Sequence, residues 1–356
     1  MEEENAENKD CNNGQKQYKQ ESVEKVIEET VTSGLHAMVL ALGYKVGIID
    51  AFERLNKPST AVEISEEAGL NLRYVQEWLS CMTAKGIIQL ENKKFCLPCS
   101  ERVQKAVLTS AVLPMFCDCL PKLESVMRVK DKNTGYPFPQ KDLEWIGKFN
   151  EINSFDQQWI ENNLGTVIEN HYKDTQEVIS EILDFGCGYG KLCQQLAQVY
   201  QEVNITGTDI DEESVQHCRK VYSYPNLFFT SSRDGSLKQK TFDIVILHDV
   251  LHDLPDPEKV LYELRTILRP NGYIVTFDPD ISSDVSKNVG NEAAQSHLPY
   301  SVFFCLPNSM SESPAIGHGA GWGVEDRKKF IREKGFTIVN VDETNVESNY
   351  SRIVFK

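Results

Sequence analysis

Large apolar side chains are almost absent from residues 1–20, which are built from Glu, Asn, Gln and Lys. Such a stretch cannot bury enough surface to order itself and reads as a disordered tail. From Ser22 the pattern turns helical, with Val23, Val26, Ile27 and Val31 at helical spacing. A longer apolar run, LHAMVLALGYKVGIIDAFERL at 35–55, predicts one helix. It is apolar on too many faces for a lone surface helix, so it should be buried or lie at a subunit interface. Ser59 or Thr60 then caps a short helix that carries Glu63 in its first turn and stops at Gly69. A further helix places Val75, Trp78, Leu79 and Met82 on one face. It ends at Gly86, and a hairpin follows: GIIQL, a polar turn at Glu91 to Lys94, then FCL.

Helix, helix, turn, helix and β-wing is the plan of a winged helix-turn-helix. Residues 101–175 read as helices broken at Pro114, Pro121, Pro137 and Pro139. They carry Tyr136, Phe138, Trp145, Phe149, Phe155 and Trp159, which pack as core or wall a substrate pocket. After Ser180 the rhythm switches to strands alternating with helices. The strands are EILDFG, VNITGTDI, NLFFTS, FDIVILH, YIVTFD, FTIVNVD and SRIVF, and the helices lie near 190–200, 212–221, 256–269 and 323–334. Apolar strands separated by helices make a mostly parallel sheet covered on both faces, and the last two should close it as an antiparallel hairpin. The expected class is α/β. The expected parts are a tail at 1–20, a winged-helix domain at 21–100, a helical linker or cap at 101–176 that contributes to a substrate pocket, and a doubly wound Rossmann-like domain at 177–356.

Charge narrows the partners. The net charge of −16 is a poor footprint for nucleic acid or an anionic membrane. Residues 34–100 carry seven basic and seven acidic side chains, and the would-be recognition helix offers only Arg73 and Lys85 beside Glu77. A DNA-binding regulator with a sensing domain is therefore the weaker alternative. No apolar run approaches the roughly 18–20 residues of a membrane span, and MEEENAENKD has no features of a secretory signal. A cytoplasmic protein with reduced thiols is expected. Cys96-x-x-Cys99 and Cys117-x-Cys119 resemble half a zinc ribbon, but with a CxC second pair and no nearby histidine they read as packing residues, and no metal is expected.

The candidate chemistry starts at Ile182-Leu-Asp-Phe-Gly-Cys-Gly-Tyr-Gly190. Gly186 and Gly188 allow a tight turn and close approach of a ligand. A dinucleotide fingerprint would need glycine at Lys191 or Cys193. Instead Asp184 precedes the turn, with Cys187 and Gly190 within it. An acid there repels a pyrophosphate and suits a ligand that carries an ammonium and a sulfonium, as S-adenosyl-L-methionine does. Asp209 lies 23 residues after Gly186, at the end of the next strand, where a carboxylate accepts ribose hydroxyls. Ile210 would pack on the adenine.

ILDFGCGYG, ITGTDIDEES, FDIVILHDVLHDLPDPEKVLYELRTILRPNGYIV and GWGVEDRKKFIREKGF resemble motifs of the class I S-adenosylmethionine-dependent methyltransferases. ALGYKVGIIDAF with TAVEISEEAGLNLRYVQEWLSCMTAKGII is similar to the winged helix that the small-molecule O-methyltransferase group uses for dimerisation and pocket closure. The resemblance runs from about residue 30 to the C-terminus. It implies methyl transfer to a small-molecule hydroxyl, thiol or amine, S-adenosyl-L-homocysteine as product, and a homodimer through the N-terminal helices. In that family an acid after the third strand meets the adenine amino group. Here the region reads TSSRDGS, and Asp234 is the candidate.

The fourth strand ends in His248-Asp-Val-Leu-His252-Asp253. VLHDL resembles the VLHDW of the small-molecule O-methyltransferases, whose His is the general base, and that maps onto His252 with Asp253 beside it. A His-Asp here also serves as an orienting pair, and both readings stay open. His248 is expected at the methionine end of the cofactor. A 44-residue insertion at 279–322 contributes further pocket candidates, Tyr300, Phe303, His318 and Trp322.

Overall fold

The computed structural model describes residues 22–98, 100–128, 134–139, 155–233, 235–342 and 349–356. The chain divides between Ala111 and Val112 into two compact units.

In the first unit, α1 (Val23–Lys45) and α2 (Ile48–Leu55) replace the single helix expected at 35–55. The break sits at Gly47, whose φ of 84° no helix interior accepts. Thr60 and Glu63 form a reciprocal capping box on α3 (Ala61–Ala68), and Gly69 stops it in a left-handed conformation. α4 (Leu72–Ala84) follows, then the wing β1 (Gln89–Glu91) and β2 (Lys94–Cys96), then α5 (Glu101–Ser110). Ile49, Phe52, Ile64, Trp78, Leu79 and Met82 make the core. Trp78 donates to the Val39 carbonyl at 2.7 Å and lies so close to Gly43 that a Cβ there would fall 2.3 Å from its ring. Of the run expected to be buried or at a subunit interface, the α2 part is buried at Ile48, Ile49, Ala51 and Phe52, whereas Leu35, Met38 and Leu42 of α1 are exposed, as are Val23, Ile27 and Val31 before them.

The second unit begins with α6 (Leu113–Val126), which carries Pro114 in its first turn and Pro121 inside it. Pro121 therefore does not break the helix, at the cost of one backbone bond. Against expectation, the helical stretch Ala106–Val126 is long and apolar enough to cross a membrane by length and composition. Its Met115, Phe116, Cys119 and Leu123 are buried within the protein, as in the core helix of a globular fold.

A seven-stranded sheet organises the rest in the order β5-β4-β3-β6-β7-β9-β8. Its members are β3 (Glu181–Phe185), β4 (Asn204–Asp209), β5 (Leu227–Ser231), β6 (Phe242–His248), β7 (Leu268–Pro279), β8 (Ile338–Asp342) and β9 (Tyr350–Phe355). β3 through β7 run parallel, and β9 is antiparallel to both β7 and β8. This is the expected α/β architecture. α7 (Lys191–Val199), α8 (Glu212–Val221), α9 (Pro257–Ile267) and α10 (Val324–Glu333) fall within two residues of their expected bounds. Apolar clusters cover the sheet on both faces. The chain order reverses on either side of β3 and β6, so their carboxyl ends open a crevice where a ligand sits.

Candidate active site

Asp184, next to last in β3, is 2% exposed. Burial pushes its carboxyl up to about 7, the Cys193 thiol that donates to it at 3.0 Å opposes the shift, and Asp209 adds to it. Gly186, Gly188 and Gly190 all hold positive φ, of 79°, 50° and 74°. A Cβ on Gly186 would stand 2.5 Å from Val250 Cγ2, whereas one on Gly188 would meet nothing within 4 Å, so the space above the turn is open. Asp209 fastens the turn from the neighbouring strand. It accepts from Gly188 N–H at 2.8 Å and from Asp211 N–H at 2.9 Å. Burial raises its pKa and these amides oppose the rise.

One cleft opens at this turn and a second lies past the end of β4. The first holds about 90 Å³ and is lined by Asp184, Gly186, Cys187, Gly188 and His248, with Phe155, Tyr189, Lys191, Leu192 and Asp249. The second holds about 590 Å³ and is lined by Ile210, Asp211, Glu212 and Glu213 with Arg219, Ser231 and Arg233. Gly190 lines neither: it packs under the turn on Cys218 and Phe229. Asp234 lies outside the described residues, as do Trp145, Phe149 and Cys99.

His248 ends β6 among rings, with centroids 4.9 Å from Phe155, 5.3 Å from Tyr350 and 5.5 Å from Phe277. Burial lowers its pKa and keeps the imidazole neutral. Asp249 follows at φ 59°, a strained value for a non-glycine residue, fixed by its N–H on the Phe277 carbonyl at 2.8 Å.

His252 lies on the turn after β6 and is 1% exposed. Its Nδ1 is 2.8 Å from Asp278 Oδ1, and its Nε2 is 3.2 Å from Asp253 Oδ1. Burial alone would lower its pKa, but the Asp253 charge and the Asp278 hydrogen bond outweigh burial and hold it well above the ordinary histidine value. Burial pushes Asp253 up to about 6 even with this imidazolium beside it. Asp278, at the end of β7, is ion-paired with fully buried Arg327 at 3.3 Å. Arg327 in turn donates to the Pro279 carbonyl at 2.7 Å and to Ser351 Oγ at 2.9 Å.

Tyr136, Phe138, Tyr300 and Phe303 gather into one aromatic cluster with Phe116 and Phe304. Phe116 stacks on Phe303 with centroids at 5.1 Å, and Tyr136 Oη donates to the Phe303 carbonyl at 3.2 Å. His318 and Trp322 lie elsewhere: they stack on each other at 3.6 Å, and Trp322 packs edge-on to Phe330 of α10. Sequence reasoning missed Asp278, Arg327, Asp249, Lys191 and Cys305. Asp278 was within reach, because it ends a parallel strand on the ligand edge of the sheet. Nothing in the sequence marks Cys305.

Comparison with known proteins agrees with this geometry. Residues 176–335 match the family described as methyltransferase domain, and residues 34–109 match the Rv2258c-like winged HTH domain. A malonyl-(acyl-carrier protein) O-methyltransferase of Halalkalibacterium halodurans is 26% identical over 132 residues, 35% of this chain and 49% of that protein. A fatty-acid O-methyltransferase of Mycolicibacterium smegmatis is 29% identical over 99 residues, 27% of this chain and 36% of that protein. The chain thus spans less than half the length of these curated relatives. Among solved structures, an O-methyltransferase family protein from Burkholderia thailandensis superposes with a TM-score of 0.67 at 12% identity, over 94% of this chain and 98% of that one. Human N-acetylserotonin methyltransferase in complex with S-adenosylmethionine gives 0.65 at 14% identity, over 96% and 99%. Those likenesses show the fold.

Proposed function

We infer, for a chain that joins a class I methyltransferase domain to a winged helix-turn-helix domain, that its function is S-adenosyl-L-methionine-dependent methylation of a small-molecule nucleophile. The observation that carries the reading is a buried carboxylate beneath a glycine turn with open space above it, the turn being fastened by a second carboxylate one strand away. Such a cradle fits a cationic adenosyl ligand and disfavours a pyrophosphate. The bound cofactor supplies an electrophilic methyl whose leaving thioether is neutral.

The chain's own residues then bind and orient. Asp184 faces the ligand's cationic groups, and Lys191 on the same cleft offers a countercharge to its carboxylate. Ile210 contributes an apolar face in the wider cleft for the adenine, and Asp209, which lines neither cleft but holds the Gly188 amide, is the proposed acceptor for the ribose hydroxyls. The cluster around Tyr136, Phe138 and Phe303 provides an apolar wall for the acceptor. Holding the acceptor in line is the larger part of the catalysis, worth roughly 7–11 kcal/mol in favourable cases. His252 and Asp253, 3.2 Å apart, are the pair that takes up the acceptor's proton or orients the acceptor, with Asp278 fixing the imidazole from its other nitrogen.

Three relatives act on different acceptors by name: malonyl-(acyl-carrier protein), a fatty acid and arsenite. The acceptor class here is proposed as hydroxyl, thiol or amine. A homodimer through α1 is part of the same proposal, supported by its exposed Val31, Leu35, Met38 and Leu42. So is a cytoplasmic location. The DNA-binding alternative gains no support from α4, where Arg73 is paired with Glu77.

Calorimetry on the full chain with S-adenosyl-L-methionine and S-adenosyl-L-homocysteine tests the reading. Uptake of both at the micromolar level is expected, and a folded chain that takes up neither is not a methyltransferase. A panel of phenols, thiols, carboxylates and amines with methyl-labelled cofactor then identifies the acceptor.

A further inference from the structure

Three potential metal ligands of different chemistry converge beside the aromatic cluster. His252, Asp253 and Cys305 each present a ligand atom, and the three atoms lie within 4.8 Å of one another. His252 and Cys305 are buried, whereas Asp253 is 22% exposed. Cys305 is the last residue of a π-helical turn, Ser301–Cys305. Such turns are rare and gather at functional sites. The segments that carry the ligands are tied together: Gly319 N–H donates to the His252 carbonyl at 3.1 Å, and Ala320 N–H donates to Ser301 Oγ at 2.9 Å.

The surroundings are those of a metal ligand set. A metal-bound histidine commonly gives its second nitrogen to a carboxylate, which fixes the ring. His252 does this, with Nδ1 on Asp278 and Nε2 turned toward Asp253 and Cys305. Asp278 is itself held by Arg327. Asp253 Oδ1 is buried and faces both His252 Nε2, at 3.2 Å, and the Cys305 thiol. Zinc ligands at about 2.0–2.3 Å in a tetrahedron stand about 3.5 Å apart, so a small contraction closes the set.

We propose that His252 Nε2, Asp253 Oδ1 and Cys305 Sγ form a three-ligand site for a divalent transition metal of zinc's type, leaving a fourth position for an exogenous ligand. The charge balances. The ion displaces one proton from the imidazolium and one from the thiol, so the cluster's net charge is unchanged. Three protein ligands with one open position are the pattern of a catalytic site, and a metal there would bind a thiol or hydroxyl acceptor and lower its pKa. In the loaded protein the ion would take over the task given to the His252–Asp253 pair above. The site itself does not depend on the methyl-transfer reading, because metal uptake is measured without cofactor or acceptor.

Cobalt(II) is the probe. The full chain is stripped with a chelator and titrated with cobalt(II). The expected result is one equivalent bound, with a thiolate-to-cobalt charge-transfer band and the strong visible bands of a four-coordinate site. Cys305→Ser should abolish the charge-transfer band while Cys117→Ser keeps it. Asp253→Asn should retain the band and weaken binding at least tenfold. Melting curves confirm that each variant is folded; if Cys305→Ser is not, Asp253→Asn decides. Absence of a charge-transfer band in the parent chain, its survival in Cys305→Ser, or unchanged affinity in Asp253→Asn overturns the proposal.

Discussion

Asp184 binds a cation only as a carboxylate, and at about 7 it is half protonated near neutrality in the free protein. A cationic ligand must displace that proton. Affinity for S-adenosyl-L-methionine should therefore climb as pH rises through 7, losing up to tenfold for each pH unit below it. Calorimetry at pH 6 and pH 8 reads the slope, and Asp184→Asn should flatten it while weakening binding at both. Gly186 fails differently. A methyl there collides with Val250 Cγ2 and also holds φ at 79°, so Gly186→Ala should cost about 1–3 kcal/mol of stability and abolish cofactor binding. Thermal melts with and without S-adenosyl-L-homocysteine separate the two effects, and a ligand-induced rise in the variant would show that the turn tolerates the methyl.

Among elements, the ends of β6 and β7 work as a pair. β6 delivers His248 and the turn bearing His252, and β7 delivers Asp278 beneath them. Removing one partner of a buried ion pair strands the other, at roughly 3–5 kcal/mol. Asp278→Asn leaves Arg327 uncompensated, and its guanidinium chloride midpoint should fall accordingly; an unchanged midpoint would mean that water already screens Arg327. Much of this layout was legible beforehand. Alternating apolar strands and helices predicted all seven strands, because the central strands are buried on both faces and read as apolar runs, while the edge strands β5 and β8, partly exposed at Phe228 and Val339, still keep enough apolar residues to show. Asp184, Gly186, Gly188 and His248 do share one cleft, since local spacing and strand ends determine where they sit. His318 and Trp322 do not join the aromatic cluster, because an insertion's path depends on long-range packing that no periodicity records. The break at Gly47 was visible as a glycine but was outweighed by the apolar run around it.

For the whole molecule, α1 sets the expected assembly. Its exposed Val31, Leu35, Met38 and Leu42 recur at helical spacing and give a partner helix an apolar row to cover. Replacing Leu35 and Leu42 together with Glu should convert a dimer to monomers in sedimentation velocity without shifting the melting of the sheet-bearing unit. A chain that is monomeric before the change removes α1 as an interface. The sheet order carries one more consequence. Because β9 is inserted beside β7, Ser351 and Tyr350 reach Arg327 and His248 from the far end of the chain, while the glycine turn is complete more than a hundred residues earlier. A ribosome-bound chain stalled before Tyr350 should therefore possess the whole glycine turn yet lack the ring that backs His248 and the hydroxyl that steadies Arg327.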